Sequence, residues 1–318
     1  MNSASELRRS IETCRLYHSI YEEHFQWFKA RIDDALDGCS PRIEGLIGPS
    51  RAGKSMVLDA LEQAYPPSRV NGVRTVPVLK VKLPPAISPK LFPAELLKAL
   101  KVPIPARVRT SGELLGRVRE QFQLAGTRVL LLDEASHFVE PGSRVPPRAA
   151  ADMVKALSDD ANLSIIASGI PHLQRLFQSN EQLRLRATVR RDFVPYDFAE
   201  PEHRKDFAQC VRTYAELFAE HGWPIAVEFP ALVKHCYFHC GGLIGVLSAF
   251  MRELSIRKRD EQPRPLTLED CKVAADRTEG TGHPLHRPFS SELVSLAELN
   301  QAYGHVLETY DMPSLRKR

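Results

Sequence analysis

One octapeptide constrains the fold more than any other feature. Gly48-Pro49-Ser50-Arg51-Ala52-Gly53-Lys54-Ser55 fits the pattern G-x-x-x-x-G-K-[ST] without a mismatch. Its context is the required one. The run Ile43-Glu44-Gly45-Leu46-Ile47 reads as a short strand before it, and a helix follows from about Gly53 to Tyr65, stopped by Pro66-Pro67. Glycines let such a loop wrap so that backbone N–H groups face a phosphate, and the helix N-terminus adds its partial positive charge. In this arrangement Gly48, Pro49, Ser50, Arg51, Ala52, Gly53, Lys54 and Ser55 are all candidate nucleotide-binding residues. Lys54 reaches the β- and γ-phosphates, and Ser55 offers its hydroxyl to Mg²⁺.

A second motif completes the first. Val129-Leu130-Leu131-Leu132-Asp133-Glu134 is a dense apolar strand ending in two carboxylates. Asp133 is placed to help hold Mg²⁺, directly or through water, and Glu134 to polarise a water for attack on the γ-phosphate. An Asp-Glu pair favours hydrolysis of ATP to ADP and phosphate over a kinase, which must exclude water. A GTPase would want an N-K-x-D guanine motif, and the chain has none. The next apolar strand, Ser164 to Ser168, ends in a polar side chain. In a sheet that sets this strand beside the two motif strands, Ser168 lies near the γ-phosphate and helps to orient the water.

Strands alternating with helices up to about Phe198 indicate a parallel α/β sheet. Beyond it only helical patterns remain: Glu202 to His221, Ala231 to His239, Leu243 to Arg257 and Leu266 to Thr278, with a further helix around Ser291 to Tyr310 in the tail. The expected division is an N-terminal helical segment over 1–40, with one helix from 5 to 36, an α/β nucleotide-binding domain over 41–198, a small all-helical lid over 199–280 and a tail over 281–318. Hydrophobic residues make up 43% of the 318, enough for a folded core. No apolar run approaches the roughly 18 residues of a membrane span, and no apolar stretch follows the first charged residues as in a signal peptide. Six scattered cysteines then read as reduced thiols of a cytoplasmic protein.

The motifs together resemble the AAA+ ATPases, and more narrowly the TniB/TnsC group of transposition regulators, over roughly residues 20 to 260. The likeness rests on the Gly48–Ser55 loop, on Asp133-Glu134-Ala135-Ser136-His137, and most specifically on Ser168-Gly169-Ile170-Pro171 followed by Leu176-Phe177 and Glu181-Gln182-Leu183-Arg184-Leu185-Arg186. In that pattern Arg186 falls where the group places an arginine finger, although Ala187 stands where phenylalanine is usual, and Arg184, Arg190 and Arg191 compete for the role. A second departure is Gly241-Gly242-Leu243-Ile244-Gly245. The arginine or lysine usual near the start of the lid helix is absent there, and the next arginine is Arg252. The resemblance implies an AAA+ fold with a helical lid and an ATP-dependent ring or filament on double-stranded DNA. That assembly would link a target-selector protein to a transposase. A helicase loader or a STAND-type signalling ATPase would keep the same fold with another task.

The net charge is only +4, so contacts to DNA must come from local clusters. Lys101, Arg107, Arg109 and Thr110 lie in the segment that faces the DNA channel in relatives of this kind. Arg144 and Arg148 form a second candidate group, and Arg257-Lys258-Arg259 and Arg316-Lys317-Arg318 a third. Phosphate contacts need only positive charge and donors, which suits a protein that coats many sequences. His235, Cys236, His239 and Cys240 place four soft ligands within six positions, but structural zinc sites draw their ligands from separated pairs, so a helix with buried cysteines is the preferred reading.

Overall fold

The computed structural model describes residues 3–104, 110–181, 183, 190–257, 261–281, 283, 285–291 and 293–313. The chain divides into two compact units. One comprises Ile20–Ser50 and Lys54–Phe193, and the other Met1–Ser19, Arg51–Gly53 and Val194–Arg318.

The first unit is built on a five-stranded parallel sheet. Its elements in chain order are α2 (Ser19–Leu36, after an α1 at Ser3–Thr13), β1 (Ile43–Ile47), α3 (Lys54–Ala64), a small hairpin of β2 (Ser68–Val70) and β3 (Val73–Thr75), and β4 (Val78–Lys82). Then come α4 (Leu91–Ala99), α5 (Ser111–Leu124), β5 (Val129–Asp133), α6 (Pro147–Ala161), β6 (Ser164–Gly169), α7 (Gln174–Gln178) and β7 (Arg190–Asp192). The spatial order is β4-β5-β6-β1-β7. Strand β6 is therefore inserted between β1, which leads into the glycine loop, and β5, which ends in the carboxylates. Leu46 registers with Ser168 on one side of β6, and Leu132 with Ala167 on the other.

The strands alternate between two faces. Ile43, Ile47, Leu79, Val81, Leu130, Leu132, Ile165 and Ala167 enter one core with Phe92 and Leu96 of α4, Val118 and Phe122 of α5, and Val154 and Leu157 of α6. Lys80, Asp133 and Ser168 fall on the opposite face by the same alternation, and α3 packs against β4, β5 and β6. Burial at the sheet centre is complete: all five residues of β1 and of β5 are buried.

Several expectations change. The helix read over 5–36 is two helices separated at Cys14–His18. Strand β4 is short and is preceded by the hairpin, whose Asn71 (φ 51°) and Gly72 (φ 81°) both take the left-handed conformation that a two-residue connection needs. The edge strand β7, Arg-Arg-Asp, has no apolar pattern and escaped the sequence reading.

The second unit is helical: α1 with Pro201–Glu220, Phe229–Cys240, Ile244–Leu254, Leu268–Asp276 and Leu296–Thr309. Helix α1 is tied in by Ser3, whose hydroxyl donates to the His221 carbonyl at 2.6 Å and accepts from the Trp223 indole at 3.3 Å. Helix Leu296–Thr309 lies within the segment read as a tail. It packs on Phe229–Cys240, with Tyr303, Leu307 and Met312 in a small core of their own. No helix is long and apolar enough to cross a membrane among the described residues.

Candidate nucleotide-binding site

The end of β1 and the start of α3 frame the glycine loop. Gly48 is required at its position, since a Cβ there would stand 2.3 Å from the Phe193 carbonyl oxygen. Its N–H donates to the Gly169 carbonyl at 3.1 Å, which ties the loop to the end of β6. Arg51 (φ 60°) and Gly53 (φ 118°) both take left-handed backbone, the curvature that turns successive N–H groups inward. Pro49 and Ala52 are buried, while Ser50, Arg51 and Ser55 are exposed. Lys54 is buried, and its Nζ donates to the Gly48 and Pro49 carbonyls at 2.9 and 2.6 Å. Burial pushes its pKa down to about 8, against the opposing pull of the Glu134 and Asp133 carboxylates.

Asp133 ends β5 and is buried. Its Oδ1 accepts the Glu134 N–H at 3.0 Å, and its Oδ2 lies 3.6 Å from Lys80 Nζ. Glu134 takes left-handed backbone (φ 55°), unusual for a residue with a Cβ, and leads into the short 3-10 turn Ala135–Phe138. Strain of this kind persists where surrounding contacts impose it, and here they are visible. Ser136 Oγ accepts the Ile170 N–H at 2.7 Å, and His137 Nδ1 meets the Leu83 carbonyl at 2.9 Å. Gly169 has to be glycine because a Cβ would meet Ser136 Oγ at 2.2 Å. Ser168 is fully buried, and its hydroxyl has no partner among the described residues. One sheet face thus carries Asp133 and Ser168 on adjacent strands, with the glycine loop on the strand beyond.

The structure places Gly48–Ser50, Lys54, Ser55, Asp133, Glu134 and Ser168 around one end of the sheet, and Arg51–Gly53 group with the helical unit. Arg184, Arg186, Arg107, Arg109, Lys258, Arg259 and Arg316-Lys317-Arg318 lie outside the described residues. Of the other finger candidates, Arg190 is engaged by Asp192 and Gln174, and Arg191 by Glu23, with its guanidinium 4.8 Å over the Trp27 ring. Lys101, Arg144 and Arg148 are exposed. Thr110 is the N-cap of α5: its hydroxyl accepts the Glu113 N–H at 3.2 Å while the Glu113 carboxylate accepts the Thr110 N–H at 3.3 Å. Sequence reasoning missed Lys80 and Ser136. A lysine inside an apolar strand was the available signal for the first; the second stands in the Asp133-to-His137 stretch, which does not reveal its bond to Ile170.

In the helical unit, Arg51 is held by Glu279, whose carboxylate lies 3.6 Å from its guanidinium. The Gly245 N–H donates to the Arg51 carbonyl at 2.9 Å, and a Cβ on Gly245 would stand 2.4 Å from that oxygen. The glycine at the start of this helix therefore permits close approach where the sequence reading sought an arginine. The possible zinc ligands are spoken for otherwise. His235 Nδ1 accepts the Phe289 N–H at 3.1 Å, and His239 Nε2 pairs with the Thr278 hydroxyl at 3.0 Å. Burial lifts the Cys236 thiol well above its ordinary range and that of Cys240 to about 12. Among the described residues no group of three or more His, Cys, Asp or Glu is arranged to hold a metal ion.

Comparison with known proteins agrees with this geometry. Residues 40–192 match the family model "Bacterial TniB protein". No curated protein matches the chain. Among solved structures, Cdc6p from Pyrobaculum aerophilum is similar with a TM-score of 0.63 at 14% identity, over 95% of this chain and 83% of that one. The Aeropyrum pernix ORC2 protein, in ADPNP-ADP complexes, gives a TM-score of 0.62 at 12% identity over 97% and 87%. The Aeropyrum pernix ORC1 protein in complex with DNA gives 0.55 at 14% identity over 93% and 80%. At such identities the likeness speaks for the fold alone. The strand order and the motif-bearing ends of β1, β5 and β6 give the chain an AAA+ ATPase fold, and its residues 40–192 are similar to the TniB family.

Proposed function

We propose that this chain binds ATP with Mg²⁺, hydrolyses it to ADP and phosphate, and assembles on double-stranded DNA as an ATP-dependent ring or filament. In that state it couples a target-selector protein to a transposase. One observation carries the nucleotide reading: the buried hydroxyl of Ser168 on β6 has no partner among the described residues, and β6 runs between the strand that leads into the glycine loop and the strand that ends in Asp133 and Glu134. A buried polar group without a partner is costly unless something meets it in the working state. The loop also fits a phosphate chain, with its left-handed Arg51 and Gly53 and the Lys54 ammonium held at its centre.

In this reading Lys54 exchanges the Gly48 and Pro49 carbonyls for phosphate oxygens, and Ser55 and Asp133 hold Mg²⁺. Mg²⁺, when bound, supplies charge neutralisation of the phosphates. Glu134 accepts a proton from the attacking water, and Ser168 orients that water by a hydrogen bond. Arg186 serves as the finger for a neighbouring subunit. The family match supports the transposition role, and the DNA held by the ORC1 relative supports the duplex as the surface on which subunits gather. Lys101, Arg107, Arg109, Arg144 and Arg148 supply the phosphate contacts. The test is to mix the protein with duplex DNA and image the particles with ATP, with ADP and with no nucleotide. Regular assemblies on the duplex with ATP alone are expected, and bare duplex under all three conditions would refute the assembly.

A further inference from the structure

Lys80 stands in the middle of β4 among Val78, Leu79 and Val81. An ammonium taken out of water is unfavourable unless carboxylates meet it, and two do so here. The Lys80 side chain is only 13% exposed; its Nζ is ion-paired with Asp59 of α3 and lies 3.6 Å from Asp133 Oδ2. The other oxygen of Asp133 is occupied, since Oδ1 accepts the Glu134 N–H at 3.0 Å. Both oxygens of the carboxylate that ends β5 therefore already have partners within the chain. Lys80 covers the oxygen left for a metal ion or its water. The strand register explains the placement. Lys80 lies opposite Leu131 and Lys82 opposite Asp133, so Lys80 points to the α3 side from one step back along the strand.

Resting on the nucleotide-site reading above, we propose that Lys80 is a positioning residue that holds the free Asp133 carboxylate and sets the Mg²⁺ concentration at which nucleotide is bound. Its charge opposes a divalent cation at Asp133, while Asp59 draws it the other way, toward the helix that follows the glycine loop. The two neighbours act on Mg²⁺ with opposite sign. Removing the ammonium relieves repulsion at Asp133. Removing the Asp59 charge leaves Asp133 as the remaining ion-pair partner of the Lys80 ammonium among the described residues, and strengthens the competition.

The experiment titrates Mg²⁺ against a fixed concentration of fluorescent ATP analogue and reads the half-saturating Mg²⁺ by binding, with melting temperatures taken in parallel. Lys80→Met is expected to lower that concentration on the order of tenfold, the scale for removing a unit charge a few ångströms from a divalent ion. Asp59→Asn is expected to raise it, and Lys80→Arg to leave it near the wild-type value. Altered melting temperatures with an unchanged Mg²⁺ requirement would overturn the proposal, as would shifts of the same sign in both charge-removing variants. Should Lys80→Met fail to fold, Asp59→Asn decides alone, since Asp59 is 42% exposed and an unchanged requirement there overturns the proposal. Wild-type protein that binds no nucleotide at any Mg²⁺ concentration would instead sink the nucleotide site itself, and the proposal with it.

Discussion

The hydroxyl of Ser168 is enclosed on all sides and donates to nothing among the described residues. If it served only packing, alanine would serve better, because deleting a buried group that lacks a partner removes a desolvation cost. Ser168→Ala is therefore expected to keep the melting temperature or raise it slightly, to keep ATP affinity, and to lower turnover by about 10- to 100-fold, the range for losing one water-positioning contact. Unchanged turnover would remove Ser168 from the site. At this scale the sequence carried much of the chemistry. The glycine loop and the Asp133-Glu134 pair were legible because each needs particular residue types at fixed spacing. Ser136 was not legible, because its bond to Ile170 joins residues 34 apart through the end of a neighbouring strand. Thr110, read as a DNA contact, spends its hydroxyl oxygen on the first turn of α5, a role written in the Thr-x-x-Glu spacing of the sequence itself.

At the scale of elements, apolar periodicity located β1, β5 and β6 to within a residue or two. It failed where burial no longer dictates composition. Strand β7 is three polar residues at the sheet edge, paired with β1 on one side among the described residues. The break between α1 and α2 carries no glycine or proline, and comes where the chain passes from one compact unit to the other. Helix Phe229–Cys240 has a different consequence. Burial pushes His239 down to about 4 from 6.5, so it is neutral in the fold, whereas in the unfolded chain it takes up a proton once the pH falls below about 6.5. The unfolded state then binds more protons than the native state, so stability is fully present above pH 6.5 and declines as the pH falls toward 4. His24, lowered to about 4 chiefly by burial and then by Arg191, acts in the same window and with the same sign. Thermal melts are expected to fall by roughly 5 °C between pH 7 and pH 5, with a smaller loss in His239→Gln. A flat profile over this range would mean that His239 is protonated in the fold.

Over the whole molecule, chain order and spatial grouping diverge. The first 19 residues join the C-terminal helices, and three residues of the glycine loop, Arg51–Gly53, group with them as well. A linear reading has no means of finding such an exchange, since the helical patterns of α1 and α2 look continuous in sequence. It found the class of architecture because alternating strands and helices followed by helices alone leave few alternatives. The order β4-β5-β6-β1-β7 meets the condition attached to the reading of Ser168, since β6 lies beside both motif strands. Everything proposed for the assembly on DNA depends on the glycine loop and the carboxylates of β5 acting on one nucleotide. The most direct measurement is ATP binding at equilibrium together with steady-state phosphate release, for wild type, Lys54→Ala and Glu134→Gln. Wild type should bind and hydrolyse ATP, Lys54→Ala should do neither, and Glu134→Gln should bind with near wild-type affinity while turnover falls by at least about 100-fold. Wild-type affinity in Lys54→Ala, or wild-type turnover in Glu134→Gln, would contradict the account.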